Sequence, residues 1–262
     1  MVFRLDAIMR RFPVAVDLGA RNGTFAQALA ASEAREKIDL LIETDLSKPM
    51  LARGGVSLVA DEERLPFKPD SLDLVVSSLA LHWTNDLIGA LIQARLALKP
   101  DGLFIGAFFG GATLTELRQS LLGAEAELSG GASMRVSPFA DASDAGGLLQ
   151  RAGFALPVAD VDRVTVRYAH PVELLRDLRA MGETNVLIER SRTPLTRRVL
   201  GRALELYAEQ FTEADGRVRA TFEIITVTGW SPHESQQKPL PRGSAKMRLA
   251  DALGTTEHSF SR

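Results

Sequence analysis

Three acidic side chains stand at the ends of short apolar stretches, where carboxylates are able to bind a nucleoside. Asp17 closes the stretch VAVD, Asp45 follows IDLLIET, and Asp61 follows LVA. If these stretches are neighbouring parallel strands, their carboxyl ends meet at one edge of a sheet. A carboxylate at Asp45 can accept both hydroxyls of a ribose, and one at Asp61 an adenine amino hydrogen. Each acid alone also fits an exposed loop, but the three together predict a nucleoside-shaped hollow.

A glycine loop, LGARNG, follows the first stretch. Gly19 and Gly23 permit a tight strand-to-helix turn and a close approach of the helix to the strand. Their Gly-x-x-x-Gly spacing is neither the Gly-x-Gly-x-x-Gly of a dinucleotide site nor a loop ending in Gly-Lys-Ser/Thr. A purely structural turn remains an alternative. Together with the three acids, the loop suits a cofactor without phosphate, such as S-adenosylmethionine.

Composition limits the classes of function. The chain has 262 residues, a net charge of -2 and no cysteine, which excludes disulfides, thiolate metal sites and a cysteine nucleophile. The near-neutral charge gives no reason to expect nucleic-acid binding. No apolar run reaches the roughly 18 residues of a membrane span, and MVFRLDAIMRRF lacks the apolar stretch of a secretory signal. We therefore expect a cytoplasmic protein, and the four histidines form no recognisable metal motif.

The pattern of apolar runs predicts the scaffold. Short apolar stretches alternate with helical patterns in the first half, which is typical of a parallel sheet with crossover helices. A late stretch rich in β-branched residues predicts a final strand far from the sixth. The fold class is thus α/β, a doubly wound, mostly parallel seven-stranded sheet whose last strand is antiparallel. The predicted strands are 14–18, 38–43, 56–60, 72–77, 103–109, 154–160 and 219–230, with a further edge strand at RVTVRYA (163–169).

Helical patterns and capping signals divide the chain further. A helix over 86–98 has Asn85 or Thr84 as its cap, and Thr113-x-x-Glu116 has the spacing of a capping box for a helix over 113–128. We expect a core, helical insertions that form a lid over the site, and a polar tail. The core comprises 1–111, 141–164 and 217–231, the insertions 112–140 and 165–216, and the tail 232–262.

The motifs resemble those of a known family. VDLGARNG, ETDLSKPML and DEERLPFKPDSLDLVVSSLALHW together resemble the class I S-adenosylmethionine-dependent methyltransferases over about 14–108. SSLALHWTNDL, LKPDGLFIGAFFGG, MGETN and GWSPHESQQKPLPRGSA are similar to a subgroup over nearly the whole chain. That subgroup holds the mitochondrial complex I assembly factors of methyltransferase fold, which are associated with arginine hydroxylation. Its relatives are the malonyl-carrier-protein methyltransferases of biotin synthesis.

The resemblance implies roles for individual residues. Asp17 and the loop residues would surround the methionine part of S-adenosylmethionine, Asp45 and Leu46 the ribose, and Asp61 with Glu62 the adenine. Residues Ser77, Ser78 and Leu79 would line the floor beside the sulfonium. The loop residues concerned are Gly19, Ala20, Arg21 and Gly23.

The loop departs from the family pattern at Arg21. Family loops usually read Gly-x-Gly-x-Gly, whereas Ala20-Arg21-Asn22 fills the middle here. We expect a working loop, with Arg21 at negative φ and its side chain turned away, or with its guanidinium paired to the cofactor carboxylate. The alternative is an obstructed site.

Methyl transfer needs positioning more than a catalytic group, because the sulfonium carbon is already activated. His82 and Trp83, just beyond the fourth strand, are expected at the acceptor pocket. His82 is a candidate general base, with packing against the lid as its alternative, and Trp83 a candidate pocket wall.

Three functions remain open from the sequence. The first is methyl transfer to a small-molecule or protein acceptor. The second is complex I assembly, by hydroxylation of a protein arginine or as a chaperone; the sequence shows no redox-metal or flavin motif for it. The third is carboxyl methylation of a carrier-bound thioester, for which the basic segment ERSRTPLTRRVLGR (189–202) would dock an acidic carrier protein; a solvated helix face is the alternative.

Overall fold

The structure is a computed structural model that describes residues 1–52, 54–237, 244 and 247–255. It contains two compact units, Met1–Pro232 and His233–Arg262. The larger unit is built on a seven-stranded sheet of order β3-β2-β1-β4-β5-β7-β6, in which β7 runs antiparallel to both neighbours and the other pairs are parallel. This confirms the predicted sheet. The strands are β1 (Val14–Leu18), β2 (Leu40–Asp45), β3 (Val56–Val59), β4 (Leu72–Ser78), β5 (Leu98–Phe109), β6 (Ala155–Tyr168) and β7 (Val218–Trp230).

Helices cover both faces of this sheet, and the second unit has a short helix of its own. Among the helices of the described residues, not one combines the length and apolarity that crossing a membrane requires. The helices are α1 (Val2–Ala7), α2 (Thr24–Ala30), α3 (Leu87–Ala97), α4 (Thr115–Ser129), α5 (Ala142–Arg151), α6 (Pro171–Ala180), α7 (Arg197–Phe211) and α8 (Leu249–Leu253), and 3-10 turns lie at Glu33–Lys37, Lys48–Leu51 and Leu81–Trp83.

Successive side chains along a strand pack into different hydrophobic cores on opposite faces of the sheet. In β1, Ala15 packs with α1 and α2, whereas Val16 packs on the opposite face with α3 and α5. This alternation is the two-residue period of a strand buried on both faces. A third core lies among α4, α6 and α7 and the strand residues Phe109 and Phe222. The segments predicted as a lid therefore have an apolar core in common with β5 and β7.

The sixth strand is longer than predicted. The strand expected at 154–160 and the edge strand expected at 163–169 are one strand, β6, because it pairs with β7 from Ala155 opposite Trp230 to Tyr168 opposite Val218. It passes the predicted core boundary at 164. The polar tail predicted at 232–262 is described at 232–237, 244 and 247–255, and its other residues lie outside the described part.

Both predicted helix caps are wrong. Asp86, not Asn85 or Thr84, caps α3, since its side chain accepts from the Gly89 amide at 2.8 Å. The capping box at 113–116 does not form: Thr113 exchanges hydrogen bonds with the backbone of Glu223. Glu116 likewise turns to β7, where it accepts hydrogen bonds from the amide and hydroxyl of Thr221. These side chains therefore attach α4 to the sheet instead of capping it.

Candidate functional site

Two glycines, Gly19 and Gly23, adopt the backbone conformations that the turns of the glycine loop require. Gly19 has φ +68°, and a Cβ placed on it would lie 2.3 Å from Cβ of Ala80 and 2.9 Å from Oε1 of Glu62. Gly23, at φ +74°, is the N-cap of α2. A side chain is therefore excluded at Gly19 by both backbone conformation and space, and Gly23 supplies the left-handed turn into the helix. The buried Ala20 between them donates its amide to the carbonyl of Thr44 at 2.8 Å.

Arg21 crosses from this loop to the segment after α6. Its φ is +47°, so the expectation of a negative φ is wrong. The conformation is held by its amide, which donates to Oδ2 of Asp45 at 2.9 Å. Its side chain is not turned away either, because the guanidinium donates to Oε1 of Glu183 at 2.9 Å and to the carbonyls of Leu79 and Met181. Arg21 thus joins the glycine loop, the end of β4 and the predicted lid.

Asp45 lies against the loop, as its position at the end of β2 led us to expect. Its side chain is buried, and its two oxygens accept from the amides of Arg21 at 2.9 Å and Ser47 at 2.7 Å. Such bonds hold a carboxylate in place and leave it further lone pairs for a ligand. The adjacent Leu46 is 61% exposed and does not line the cavity described below.

Asp61 and Glu62 place further acidic groups near Asp45. Asp61 accepts a hydrogen bond from the amide of Glu63 at 2.8 Å. Burial is the main cause that raises the pKa of Glu62; its own backbone hydrogen bond opposes the rise, and the carboxylates of Asp45 and Asp61 add to it. Glu62, Asp61 and Asp45 thus form an acidic cluster beside Gly19 of the glycine loop.

A cavity of about 340 Å³ opens above the carboxyl ends of β1 and β4, and we call it the loop cavity. Its volume lies at the lower end of the roughly 300–1,000 Å³ of ligand pockets. The buried Asp17 lines it together with Ser78 and Leu79, whereas Ser77 lies below, donating its hydroxyl to the carbonyl of Leu18 at 2.9 Å. The remaining lining residues are Ala20, Arg21, Asn22, Thr24, Phe25, Met50, Phe109, Ala180, Met181 and Glu183.

The residues of the loop cavity fit S-adenosylmethionine. Asp17 offers a carboxylate for the ammonium group, while Phe25 and Met50, which the sequence reasoning missed, add apolar surface. The carboxylate of Asp45 is one hydrogen bond away from the cavity, through the amide of Arg21. Asp17 and Asp45 are therefore brought to one place, and Asp61 joins them through its proximity to Glu62.

A second cavity, of about 80 Å³, lies between β5, α4 and the segment after α6; we call it the aromatic cavity. His82 and Trp83 line it, as expected of an acceptor pocket. The His82 ring centroid lies 5.4 Å from that of Trp83, 4.8 Å from that of Phe109 and 6.0 Å from that of Phe139. The other lining residues are Thr113, Leu114, Leu117, Arg135, Val136, Ser137, Leu178, Glu183, Thr184, Asn185 and Phe222.

Glu183 lines both cavities, and the sequence reasoning missed it. Its Oε2 lies 3.1 Å from Nε2 of His82, and its Oε1 accepts from Arg21. Burial acts to raise the pKa of Glu183, but the hydrogen bonds and charges of His82 and Arg21 outweigh it, so that the pKa is lowered. Glu183 is therefore an ionised carboxylate between the glycine loop and His82.

A helix terminus fixes the position of Glu183. Gly182 has φ +79° and donates its amide to the carbonyl of Arg179, while the amide of Glu183 donates to the carbonyl of Leu178 at 2.8 Å. This pair of bonds is the Schellman arrangement that ends many helices at a glycine. The glycine in MGETN was the available signal, since it marks the end of α6 immediately before the glutamate.

Comparisons with known proteins agree with this geometry. Residues 16–106 match the model of a methyltransferase domain. The chain is 44% identical, over 95% of its length and 78% of the relative, to the mitochondrial arginine-hydroxylase NDUFAF5 of Danio rerio. It is 34% identical, over 88% of its length and 79% of the relative, to a malonyl-[acyl-carrier protein] O-methyltransferase of Halorhodospira halophila.

A solved structure shares the fold. Phosphoethanolamine N-methyltransferase 2 of Haemonchus contortus, solved with S-adenosyl-L-methionine, superposes with a TM-score of 0.51 at 17% identity, over 88% of this chain and 51% of that one. At this identity the likeness concerns the fold alone.

The expected cytoplasmic location is wrong. The arginine hydroxylases that this chain resembles at 36–45% identity are named as mitochondrial proteins. The composition could not reveal this, because a near-neutral, cysteine-free chain fits either compartment.

The glycine loop, the acids beside it and the relatives that match most of the chain lead to one assignment. The chain belongs to the class I S-adenosylmethionine-dependent methyltransferase family, in the subgroup that contains the arginine-hydroxylase NDUFAF5 proteins and the malonyl-[acyl-carrier protein] O-methyltransferases.

Proposed function

We propose that the protein binds S-adenosylmethionine in the loop cavity and transfers its methyl group to an acceptor in the aromatic cavity. The observation that carries this proposal is that Phe109 and Glu183 line both cavities. The two cavities are therefore adjacent, and in this proposal the donor and the acceptor meet where these side chains line both. Bound S-adenosylmethionine supplies an activated methyl group, and the chain has to bring the acceptor to it.

The cofactor residues have separate tasks in this proposal. Asp17 binds the ammonium group, and the carboxylate of Asp45, already oriented by two backbone amides, accepts the ribose hydroxyls. Asp61 and Glu62 bind the adenine edge. Ser78 and Leu79 line the floor near the reacting carbon. Asp17, Ser78 and Leu79 line the loop cavity, and Asp45 contacts Arg21, which also lines it. The roles of Asp61 and Glu62 rest on their place near Asp45 and on the family to which the chain belongs.

Closure over the reacting groups is the second contribution of the chain. Arg21 connects the loop to Met181 and Glu183, so the segment after α6 is held across the loop cavity. Excluding water and fixing two reactants in line contributes in principle about 7–11 kcal/mol to lowering a barrier. Trp83 and Phe109 form walls of the acceptor pocket.

Calorimetry tests cofactor binding. We expect binding of S-adenosylmethionine and of S-adenosylhomocysteine to the wild-type chain, and weaker binding of both to an Asp45→Asn variant. An Asp39→Asn variant is the matched control, because Asp39 is exposed and pairs with Arg11 away from the cavity. Failure of the wild-type chain to bind either compound would refute the proposal.

A second candidate is hydroxylation of a protein arginine during assembly of respiratory complex I. It is favoured by the 44–45% identity to arginine-hydroxylase NDUFAF5 proteins, against 34% to the malonyl-carrier methyltransferases. Mass spectrometry of complex I subunits from cells with and without the gene separates the reactions. Loss of a modification with the mass of one oxygen atom indicates hydroxylation, and loss of one with the mass of a CH2 group indicates methylation.

A malonyl-carrier acceptor has less support, because Arg135 and Arg202, which would bind its carboxylate or an acidic carrier protein, already have partners within the chain. Arg135, the cationic side chain among the described residues lining the aromatic cavity, donates through Nε and Nη2 to Glu125 and through Nη1 to the carbonyl of Thr193. In the predicted docking segment, Arg202 pairs with three glutamates, Glu127, Glu205 and Glu209. Growth of a gene-deleted host without biotin tests this acceptor.

A further inference from the structure

We propose that Glu183 is a positioning residue: it holds His82 with the ring hydrogen on Nε2, so that Nδ1 takes the proton that the acceptor loses on methylation. This inference rests on the proposed methyl transfer. It adds the ring atom of His82 that acts, the side chain that orients the ring, and the class of acceptor atom that the site takes.

The contact between the two side chains determines the ring hydrogen. Nε2 of His82 and Oε2 of Glu183 are 3.1 Å apart, and both side chains are almost fully buried, with 5% and 10% exposed. An ionised carboxylate has lone pairs and no hydrogen, so it can only accept. Its partner Nε2 must therefore carry the hydrogen, as the ring nitrogen facing the carboxylate does in other carboxylate–histidine pairs.

In the neutral form of His82, the other ring nitrogen keeps a lone pair. In a neutral imidazole protonated at Nε2, Nδ1 is a hydrogen-bond acceptor. Nδ1 of His82 is buried and has no hydrogen-bond partner among the described residues. Leaving a buried acceptor unsatisfied costs free energy, and such groups in native structures often have a functional reason. His82 lines the aromatic cavity, and in this proposal a ligand bound there supplies the donor that Nδ1 lacks.

This arrangement defines the acceptor atom by class. The acceptor presents an N–H or O–H group to Nδ1, and its lone pair forms the new bond to the methyl carbon. The bond from that carbon to sulfur breaks and its electron pair stays on sulfur, which gives the neutral thioether. The acceptor's proton passes to Nδ1, and the carboxylate of Glu183 stabilises the imidazolium that results. An ionised carboxylate acceptor has no such hydrogen and does not need this base.

Glu183 also links the base to the cofactor side. One of its oxygens binds Arg21 of the glycine loop and the other binds His82, so a single carboxylate orients groups in both cavities. The helix-terminal turn at Gly182 fixes its backbone.

Nuclear magnetic resonance of the full chain with 15N-labelled histidine tests the ring hydrogen directly. The His82 signals are identified by their loss in a His82→Gln variant. We expect a hydrogen on Nε2 that exchanges slowly with solvent, and an Nδ1 signal without an attached hydrogen. In Glu183→Ala the exchange of that hydrogen accelerates by about tenfold or more, as expected for losing a hydrogen bond to a charged group.

Two further variants show that the effect belongs to this carboxylate. Glu183→Asp keeps the charge and partly restores slow exchange, and Glu189→Ala, which removes an exposed glutamate of the same segment, leaves it as in the wild type. A hydrogen on Nδ1 in the wild type, or unchanged exchange in Glu183→Ala, would overturn the inference. Calorimetry with S-adenosylmethionine on the same samples decides the proposed function separately: binding with the wrong ring hydrogen refutes the inference alone, and no binding refutes both.

Discussion

Gly19→Ala is the sharpest test of the glycine loop, because two separate costs meet at this residue. At φ +68° an alanine is in the left-handed region, which costs about 1–2 kcal/mol. Its Cβ would also lie 2.3 Å from Cβ of Ala80, so the chain at Ala80 has to move. Overpacking of a tight site typically costs about 1–3 kcal/mol. We therefore expect Gly19→Ala to lower the free energy of unfolding by about 2–5 kcal/mol in total.

A matched control separates the two costs. Gly130 has φ +66°, almost the same as Gly19, and a Cβ on it would meet no atom within 4 Å. Gly130→Ala should therefore lose only the backbone part, about 1–2 kcal/mol. The difference between the two variants, about 1–3 kcal/mol, measures the steric part.

A double-mutant cycle attributes the steric part to Ala80. Removing the Ala80 methyl group in Gly19→Ala/Ala80→Gly should restore about 1–3 kcal/mol relative to the sum of the single changes. Urea unfolding monitored by circular dichroism supplies the free energies. If Gly19→Ala loses no more than Gly130→Ala, or if the cycle shows no coupling, the close approach of the glycine loop to the residues after β4 is refuted.

Three acidic residues give further predictions. Asp45→Asn should weaken S-adenosylmethionine binding by about 1–3 kcal/mol through loss of charge-assisted hydrogen bonds, as calorimetry would show. The pKa of Glu62 is raised on folding, so its ionised form opposes folding at pH 7; Glu62→Gln should raise the free energy of unfolding there, with the gain absent below about pH 4. The pKa of Glu183 is lowered on folding, so its ionised form stabilises the folded chain. This contribution is present above its unfolded pKa of about 4.3 and is lost as the pH falls further. Unfolding of the wild type and of Glu183→Gln between about pH 3 and pH 7 would show it.

The sheet was predictable because its signals are local. Runs such as 14–18 are bounded by loop residues and bury both faces, and this pattern places parallel strands without knowledge of their partners. The two parts of β6 were not joined in advance, because what joins them is pairing with β7, about sixty residues further along the chain. The capping box failed for the same reason: Thr113 and Glu116 have its local spacing, but their side chains bond to residues of β7 instead.

For the candidate site, too, local features could be predicted from the sequence and long-range contacts could not. The positions of Asp17 and Asp45 near the glycine loop could be predicted because a carboxylate at the end of a strand is a local feature with a known place in the fold. Glu183 was missed because its partners, His82 and Arg21, are 101 and 162 residues away in the sequence. No periodicity or motif spacing reports a contact over that separation.

Arg21 and Glu183 stabilise each other, so the two residues depend on one another. A non-glycine residue at φ +47° costs roughly 1–3 kcal/mol, so its place in the loop needs compensation. Part comes from the bond of its amide to Asp45, and part from a guanidinium whose partners include a buried carboxylate. Burial acts to raise the pKa of that carboxylate, and the hydrogen bonds and charges of His82 and Arg21 outweigh it. The arginine that departs from the family loop is thus the residue that, with His82, keeps Glu183 ionised between the two cavities.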